Sequence, residues 1–544
     1  MHRLPGVMYP RLLFSAFTAI LVSCGGGSSS SLSSNLTPPA APLVRVSQAS
    51  PYAANCGGAI QQSSVLYQDA EVEPYEAVNP ANSSNVIGIW QQDRWSDGGS
   101  HGLVAAYSMD GGKTWKEQPL PMSTCGSNVG ANYQRASDPW VSFSPNGTAA
   151  YAISISFSGL SLASGSSGAV LVTRSGDGGA TWSAPIPLIS DGASAFNDKE
   201  SVTADPNNSN YAYAVWDRLD TSNRGPTYFS RTIDGGTSWS AGQPIYDPGV
   251  GNQTLGNEVI GLTDGSIVDL FEELDGTFGN SATSTVRVIR STDHGATWAG
   301  PYIVAENFSV GTADPNTGMA VRAGAGLPQG TAAPAGGLVV VWQDGRFSNG
   351  AHDGIVLSRS SDGGQTWTAP VEINSITTVP AFTPSVAVLG DGTIGVSYFD
   401  FRNNTAGRST LLTDYWFTSS TDGVHWSEQH ISGPFDLDLA PDAEGLFLGD
   451  YQALAVVANV FTPFYVQTNN AGTADRTDAY ILPPQPIPLV LTRRVTNIAL
   501  VAQSVQPTDA FRGRVHENLM QVLRGEVPGW DQLRAARRAG TVPP

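Results

Sequence analysis

The octapeptide SMDGGKTW fills Ser108 to Trp115, and it returns as SGDGGATW (Ser175 to Trp182), TIDGGTSW (Thr232 to Trp239), STDHGATW (Ser291 to Trp298) and SSDGGQTW (Ser360 to Trp367). A shortened copy, STDGVHW, spans Ser420 to Trp426, and successive copies start 57 to 69 residues apart. A period of this length belongs to architectures built by repeating one supersecondary unit. It therefore outweighs the several-domain prior that 544 residues would otherwise carry. Each copy follows a β-rich run, such as LVAAYS, AVLVTRS, TVRVIRS or DGIVLSRS, and most precede a short segment with Pro. The octapeptide is thus read as a hairpin turn. Its Ser and Asp bond nearby backbone N–H groups, its Gly supplies positive φ, and its Trp opens the next strand as a large buried anchor. Two further strand-like runs lie upstream: EPYEAVNP and NVIGIWQQD before the first copy, ESVTADP and NYAYAVWD before the third, PSVAVLG and TIGVSYFD before the sixth. Each unit then has four antiparallel strands, which is the content of a propeller blade.

The pattern S-x-D-x-G-x-T-W resembles the Asp-box, or BNR repeat, of the sialidase (neuraminidase) superfamily, over residues 70–485. The expected fold is an all-β propeller of four-stranded antiparallel blades with a short C-terminal helical tail. Six blades carry a box. FLGDYQALAVV, VFTPFYVQT and TDAYILP then repeat the strand order without one, as a seventh, degenerate blade. Its outer strand is sought in Leu43 to Ser47 or around Leu489-Val490-Leu491. Seven blades are favoured, with six, the count true sialidases resemble, as the alternative. The expected organisation is a signal peptide over 1–23, a tether over 24–42, the propeller over 43–487 and a C-terminal extension over 488–544. In the tail, Phe511, Val515, Leu519 and Leu523 share one helical face and predict a helix docked on the propeller. A basic helix lying on a membrane surface is the alternative.

The N-terminus has Arg3 and Arg11 around a short apolar run that ends in Leu21-Val22-Ser23-Cys24. That ending resembles the lipobox of bacterial lipoproteins, which implies lipidation of Cys24 and a cell-envelope address, at an outer membrane or cell surface. Cys56 and Cys125 are the remaining cysteines, an even pair that an oxidising envelope would join. The net charge of −19 repels phosphate and argues against a nucleic-acid partner. The seven His show no metal-ligand spacing, and no cofactor is expected. A calcium ion in the acidic stretch Asp436, Asp438, Asp442, Glu444 is the one metal reading, against a solvated loop.

Because the box joins strands three and four, its turns lie opposite the face where strand two ends and strand one begins. The box aspartates Asp110, Asp177, Asp234, Asp293, Asp362 and Asp422 are accordingly structural. Strand two ends in Asp93-Arg94, Asp217-Arg218, Asp344 with Arg346, and Asp400 with Arg402, with Glu272-Glu273 in the fourth unit. Strand one begins at Asp138, at Asp198-Lys199-Glu200, at Glu258 and at Asp450-Tyr451. Arg forks suit a ligand carboxylate, so Arg94, Arg218, Arg346 and Arg402 are the substrate-binding candidates, with structural ion pairs between blades as the alternative. Sialidase chemistry uses a Tyr nucleophile. The resemblance makes Tyr451 that candidate, Glu200 or Glu258 its base, and Asp93 or Asp138 the acid/base. The F/Y-R-I-P motif that sialidases carry ahead of the first box does not occur; Gln92-Asp93-Arg94-Trp95 stands nearest. Two readings follow. One is an exo-acting glycoside hydrolase for sialic-acid-type sugars; the other is a non-catalytic propeller that binds a glycan or a protein. In both the expected protein is a monomer, held to the membrane by its lipid, with a glycan or glycoprotein partner.

Overall fold

The computed structural model describes residues 42–126, 131–469, 474–485, 491–494, 507–527 and 529–538. The lipobox and the tether lie outside the described residues. Six four-stranded antiparallel units follow one another in the chain, each beginning with a first strand that pairs along its length with its second; single bridges also join Ala70 to Thr477 and Ser100 to Ala136 of neighbouring units. These first strands are Leu66–Val78, Arg135–Phe143, Ala195–Ala204, Gln253–Gly261, Gln329–Ala333 and Ala381–Val388. Three more strands, Ala453–Val457, Val460–Thr468 and Thr477–Ile481, repeat the order. Val44–Arg45 adds the fourth, pairing antiparallel with Thr477–Ile481, so the N-terminal segment completes the last unit. Leu491–Arg494 instead pairs with His425–Asp436 as a fifth strand of the sixth unit. Each first strand touches the first strand of the next unit, and Ala453–Val457 touches Leu66–Val78. A channel of about 370 Å³ runs between first strands of units one, four, five, six and seven, past Glu76 and Glu258.

The box turns hold themselves together. In the first, Ser108 Oγ donates to Asp110 Oδ1 (2.8 Å), Gly112 N donates to Ser108 Oγ (2.9 Å), and Thr114 donates through N (2.9 Å) and Oγ1 (2.7 Å) to the two Asp110 oxygens. The pattern recurs around Asp177, Asp234, Asp293 and Asp362. In the shortened copy the His425 ring takes the place of the Thr hydroxyl on Asp422. The carboxylates are thus used up inside their own turns, as a structural role requires.

The second Gly of the box also packs tightly against the preceding unit. A Cβ on Gly295 would come 2.4 Å from Phe229, and one on Gly236 2.5 Å from Tyr151. The Trp residues work at the same seam: Trp115 stacks on Phe464 of the last unit, Trp239 meets Tyr151 and Trp298 meets Phe229. Here the expectation of a deeply buried anchor is corrected. Five box Trp are half-buried, because they lie over the seam between units rather than inside one sheet; only Trp426 is fully buried.

Two helices follow: α1 (Asp509–Glu526) and α2 (Trp530–Arg538). Thr508 caps α1 by accepting from Phe511 N (3.2 Å). Phe511, Val515, Leu519 and Leu523 are buried against Leu219, Leu255, Leu274 and Leu327, so the helix docks on the strand-two ends. Cys56 and Cys125 are bonded, which ties the N-terminal arm to the first unit.

Candidate functional site

The first strands share one irregularity. Each of five carries a register shift against its second strand, around Glu73, Asp138, Lys199, Gly256 and Thr383. All five residues sit at positive φ, between 47° and 69°. A bulge re-aims the side chain at its extra residue, and a non-Gly residue in this region costs of order 1–3 kcal/mol unless its surroundings hold it. Glu73, Asp138 and Lys199 are held by mutual pairing, and Thr383 donates to Ala323 O (3.1 Å). Lys199 Nζ lies 2.7 Å from Asp138, 2.8 Å from Asp450, 3.0 Å from Glu526 and 3.3 Å from Glu73. Arg322 takes Asp450 through Nε (3.1 Å) and Nη2 (2.5 Å), reaches Glu526 at 3.0 Å and donates from Nη1 to Gly525 O (2.8 Å). Arg94 donates to Gln91 (2.7 Å), whose amide joins Glu73, and lies over the Phe447 ring at 4.9 Å. Gly324 has to be Gly: a Cβ there would fall 1.8 Å from Asp450 O.

The electrostatics follow from this crowding. Burial alone lowers a lysine, but Asp138, Asp450, Glu526 and Glu73 reverse that and hold Lys199 well above its ordinary value. Burial pushes Asp450 up, yet Arg322 and Lys199 keep it well below the usual carboxylate range. Burial and Asp138 raise Glu73 to about 8. Burial raises Glu526, with Arg322 opposing. Burial and the Arg322 charge lower Arg94. A cavity of about 120 Å³ opens on this cluster, lined by Arg94, Asp138, Asp198, Lys199, Arg322 and Glu526.

Among the sequence candidates, Arg94 and Asp138 reach this cavity. Tyr451, Glu200 and Glu258 line a smaller void of about 20 Å³ that also touches Lys199. The Tyr451 hydroxyl donates to Pro139 O (2.9 Å), and burial, Glu73 and Asp138 raise its pKa well above 10. Both Glu200 oxygens are buried without a hydrogen-bond partner, and burial and Asp138 push that carboxyl well up. Burial raises Glu258 to about 8. Asp93 reaches neither space; it accepts from Ser50 Oγ (2.7 Å) and Asp69 N (2.9 Å) and meets the His101 ring at 2.9 Å.

The expected convergence of four Asp/Arg pairs is corrected. Arg218 pairs with Asp191 of the preceding unit (2.7 Å) and lies over Tyr228. Arg346 pairs with Asp344 (2.6 Å) and lies over Phe308. Arg402 pairs with Asp400 and Glu428 (2.6 Å each) and stacks on Trp416. For the adjacent Asp217 and Arg218 the reason is strand geometry, because neighbouring residues point to opposite faces. Arg346 and Arg402 lie beyond the ends of their strands and fold back onto Asp344 and Asp400. Glu272 accepts from Asn307, and Glu273 pairs with Arg287. In the acidic stretch, Asp436 accepts from Leu411 N and Asp438 N, and Asp442 from Gly445 N. The acidic group with metal-like spacing among the described residues is Glu71, Asp475 and Asp478, and Arg45 already pairs with Asp475 and Asp478.

Sequence reading missed Glu73, Arg322 and Glu526 as site residues and gave Lys199 and Asp450 no role. A signal existed. Three bulge residues precede Pro, in Glu73-Pro74, Asp138-Pro139 and Thr383-Pro384, at matching places in their units.

No family model and no curated protein matches the chain. Solved structures do show similarity. The Hadza microbial sialidase Hz136 is 16% identical at a TM-score of 0.41, over 61% of this chain and 64% of that one, so the match spans less than two thirds of the sialidase. The Penicillium chrysogenum alpha-L-arabinanase complexed with arabinobiose is 14% identical at 0.40, over 77% and 98%. The Trypanosoma rangeli sialidase in complex with the inhibitor DANA is 16% identical at 0.39, over 62% and 53%.

Proposed function

We propose that this chain is a sialidase-like, glycan-directed propeller of the cell envelope that receives an acidic sugar in the cavity at Lys199, Arg322 and Arg94. Its blades number seven. The ring closes where Val44–Arg45 completes the last unit and Trp115 stacks on Phe464. The observation that supports the function is the meeting of three cations at one cavity on the bulged ends of the first strands. An Arg fork and a Lys point charge are the groups that grip a sugar carboxylate, and the −19 overall charge makes such a local concentration necessary for any anion. Cys24 carries the lipid that keeps the protein at the membrane.

Between retention and hydrolysis, the geometry favours retention. A Tyr nucleophile needs a base on its hydroxyl. The Tyr451 hydroxyl donates its hydrogen bond to the Pro139 carbonyl rather than to a base, and the raised Glu200 and Glu258 keep their protons. Asp138, beside the cavity, is the carboxylate placed to act if the sugar is hydrolysed. A glycan array and a fluorogenic sialoside, read with wild type, Arg322→Ala and Tyr451→Phe, test both readings. Binding confined to acidic glycans and lost in Arg322→Ala is expected, without turnover. Turnover by wild type that disappears in Tyr451→Phe would establish the hydrolase instead. Absence of any glycan binding would overturn the glycan reading.

A further inference from the structure

The cation site is already filled, and the occupant is the chain's own tail. Glu526 is the last residue of α1, and its carboxylate lies 3.0 Å from both Lys199 Nζ and Arg322 Nη2. A carboxylate at this place breaks a local rule: the C-terminal end of a helix carries the negative end of the dipole and favours cations. Violations of local preference without local compensation mark functional positions. Here the compensation is entirely tertiary. Arg322 also accepts the role of C-terminal cap by donating to Gly525 O (2.8 Å).

Glu526 is one of the carboxylates that neutralise the buried cations Lys199 and Arg322, beside Asp138 and Asp450. Withdrawing it removes one carboxylate from both cations at once, and buried cations that lose a partner favour a new anion. The rest of α1 acts as a tether. Phe511, Val515, Leu519 and Leu523 dock it on Leu219, Leu255, Leu274 and Leu327, which keeps the Glu526 carboxylate at high effective concentration beside the cations. Gly525 and Arg524 form part of the wall of the 120 Å³ cavity, so the space beside the plug widens when the helix end moves.

We propose that Glu526 is an internal ligand: the end of α1 occupies a carboxylate-binding site formed by Lys199 and Arg322, and an external carboxylate competes with it. This rests on reading the cavity as the glycan site and adds that the closed form binds its ligand weakly until α1 yields. Nothing covalent is involved; one carboxylate replaces another on the same two cations.

Calorimetric titration tests the competition. N-acetylneuraminate, D-glucuronate and acetate serve as anionic probes, with arabinobiose as the neutral control. They are titrated into wild type, Glu526→Gln and Leu519→Ala, all as the full chain. Glu526→Gln removes the internal carboxylate. Leu519→Ala keeps every charge and loosens only the apolar docking, so it reads the same competition if Glu526→Gln does not fold. Both variants should bind at least one anionic probe on the order of tenfold more tightly than wild type, with the neutral sugar unchanged. Equal affinity for every anion in wild type and the folded variants would overturn the internal-ligand proposal. If all bind N-acetylneuraminate equally and no other anion gains in the variants, the glycan site stands and the plug falls. If the gain appears with acetate and glucuronate but not with N-acetylneuraminate, the plug stands and the sialic-acid reading falls.

Discussion

Lys199 is one of three lysines in the chain, and it is buried to 5% exposure among four carboxylates at a backbone angle, φ of 48°, that few non-Gly residues adopt. Replacing it by Met keeps the volume and removes the charge. The loss should be about 3–5 kcal/mol, since it strands carboxylates in a dry site. Urea denaturation measures it. The cost should shrink in the Glu526→Gln background, because one of the stranded groups is then neutral; an undiminished cost would show that the two do not interact. Gly295→Ala tests the seam. The added methyl meets Phe229 at 2.4 Å from a position with φ of 80°, so a loss of roughly 2–4 kcal/mol is expected from overpacking and backbone strain together. A loss under 0.5 kcal/mol would contradict the tight seam. At this scale the sequence is unevenly legible. The box aspartates showed their role because turn chemistry is local. The arginines misled because Asp-Arg dipeptides look alike whether they face the axis or a neighbouring sheet. Lys199, Arg322 and Glu526 are brought together from points 123 and 204 residues apart, and no local pattern announces such a meeting.

At the scale of elements, the box turns and the first strands respond to pH in opposite directions. Bonds from the Thr297 and Thr366 hydroxyls and backbone amides hold Asp293 and Asp362 at about 2, against an ordinary 3.8. Their stabilisation is present above pH 3.8 and is lost as pH falls through about 2. Glu258 on a first strand is raised by burial to about 8 from 4.5. It stabilises below pH 4.5, and that contribution is lost as pH rises through about 8. The melting temperature should therefore peak between pH 4 and 5 and fall toward pH 8. Scanning calorimetry across pH 2–9 checks this, and Glu258→Gln should flatten the alkaline limb. A plateau from pH 5 to 9 in wild type would contradict the assignment. Strand order was legible because hairpin turns and alternating runs carry it. The bulges were not read from the sequence, since an extra residue in a strand changes no hydrophobic period; only the recurring X-Pro pairs at Glu73, Asp138 and Thr383 betrayed them.

For the whole molecule, the repeat dictated the architecture, and the tail supplied what the repeat lacks. Six boxes imply six similar units. Three further strands repeat the order without a box, and Val44–Arg45, within the Leu43 to Ser47 stretch, pairs with the last of them. The amphipathic face of α1 was legible, and its docking followed from Phe511, Val515, Leu519 and Leu523. That the docked helix ends inside the cation site was not, because a single Glu at a helix end has no sequence signature. Lys199 and Arg322 are proposed to receive the carboxylate of an acidic sugar, and a crystal of the full chain soaked with N-acetylneuraminate tests this most directly. The sugar is expected in the cavity beside Arg94 and Asp138, its carboxylate about 3 Å from Lys199 Nζ and the Arg322 guanidinium, with Glu526 displaced from both. Sugar bound instead at Arg218, Arg346 or Arg402, or on the face of the box turns, or at no site with Glu526 still in place, would contradict it.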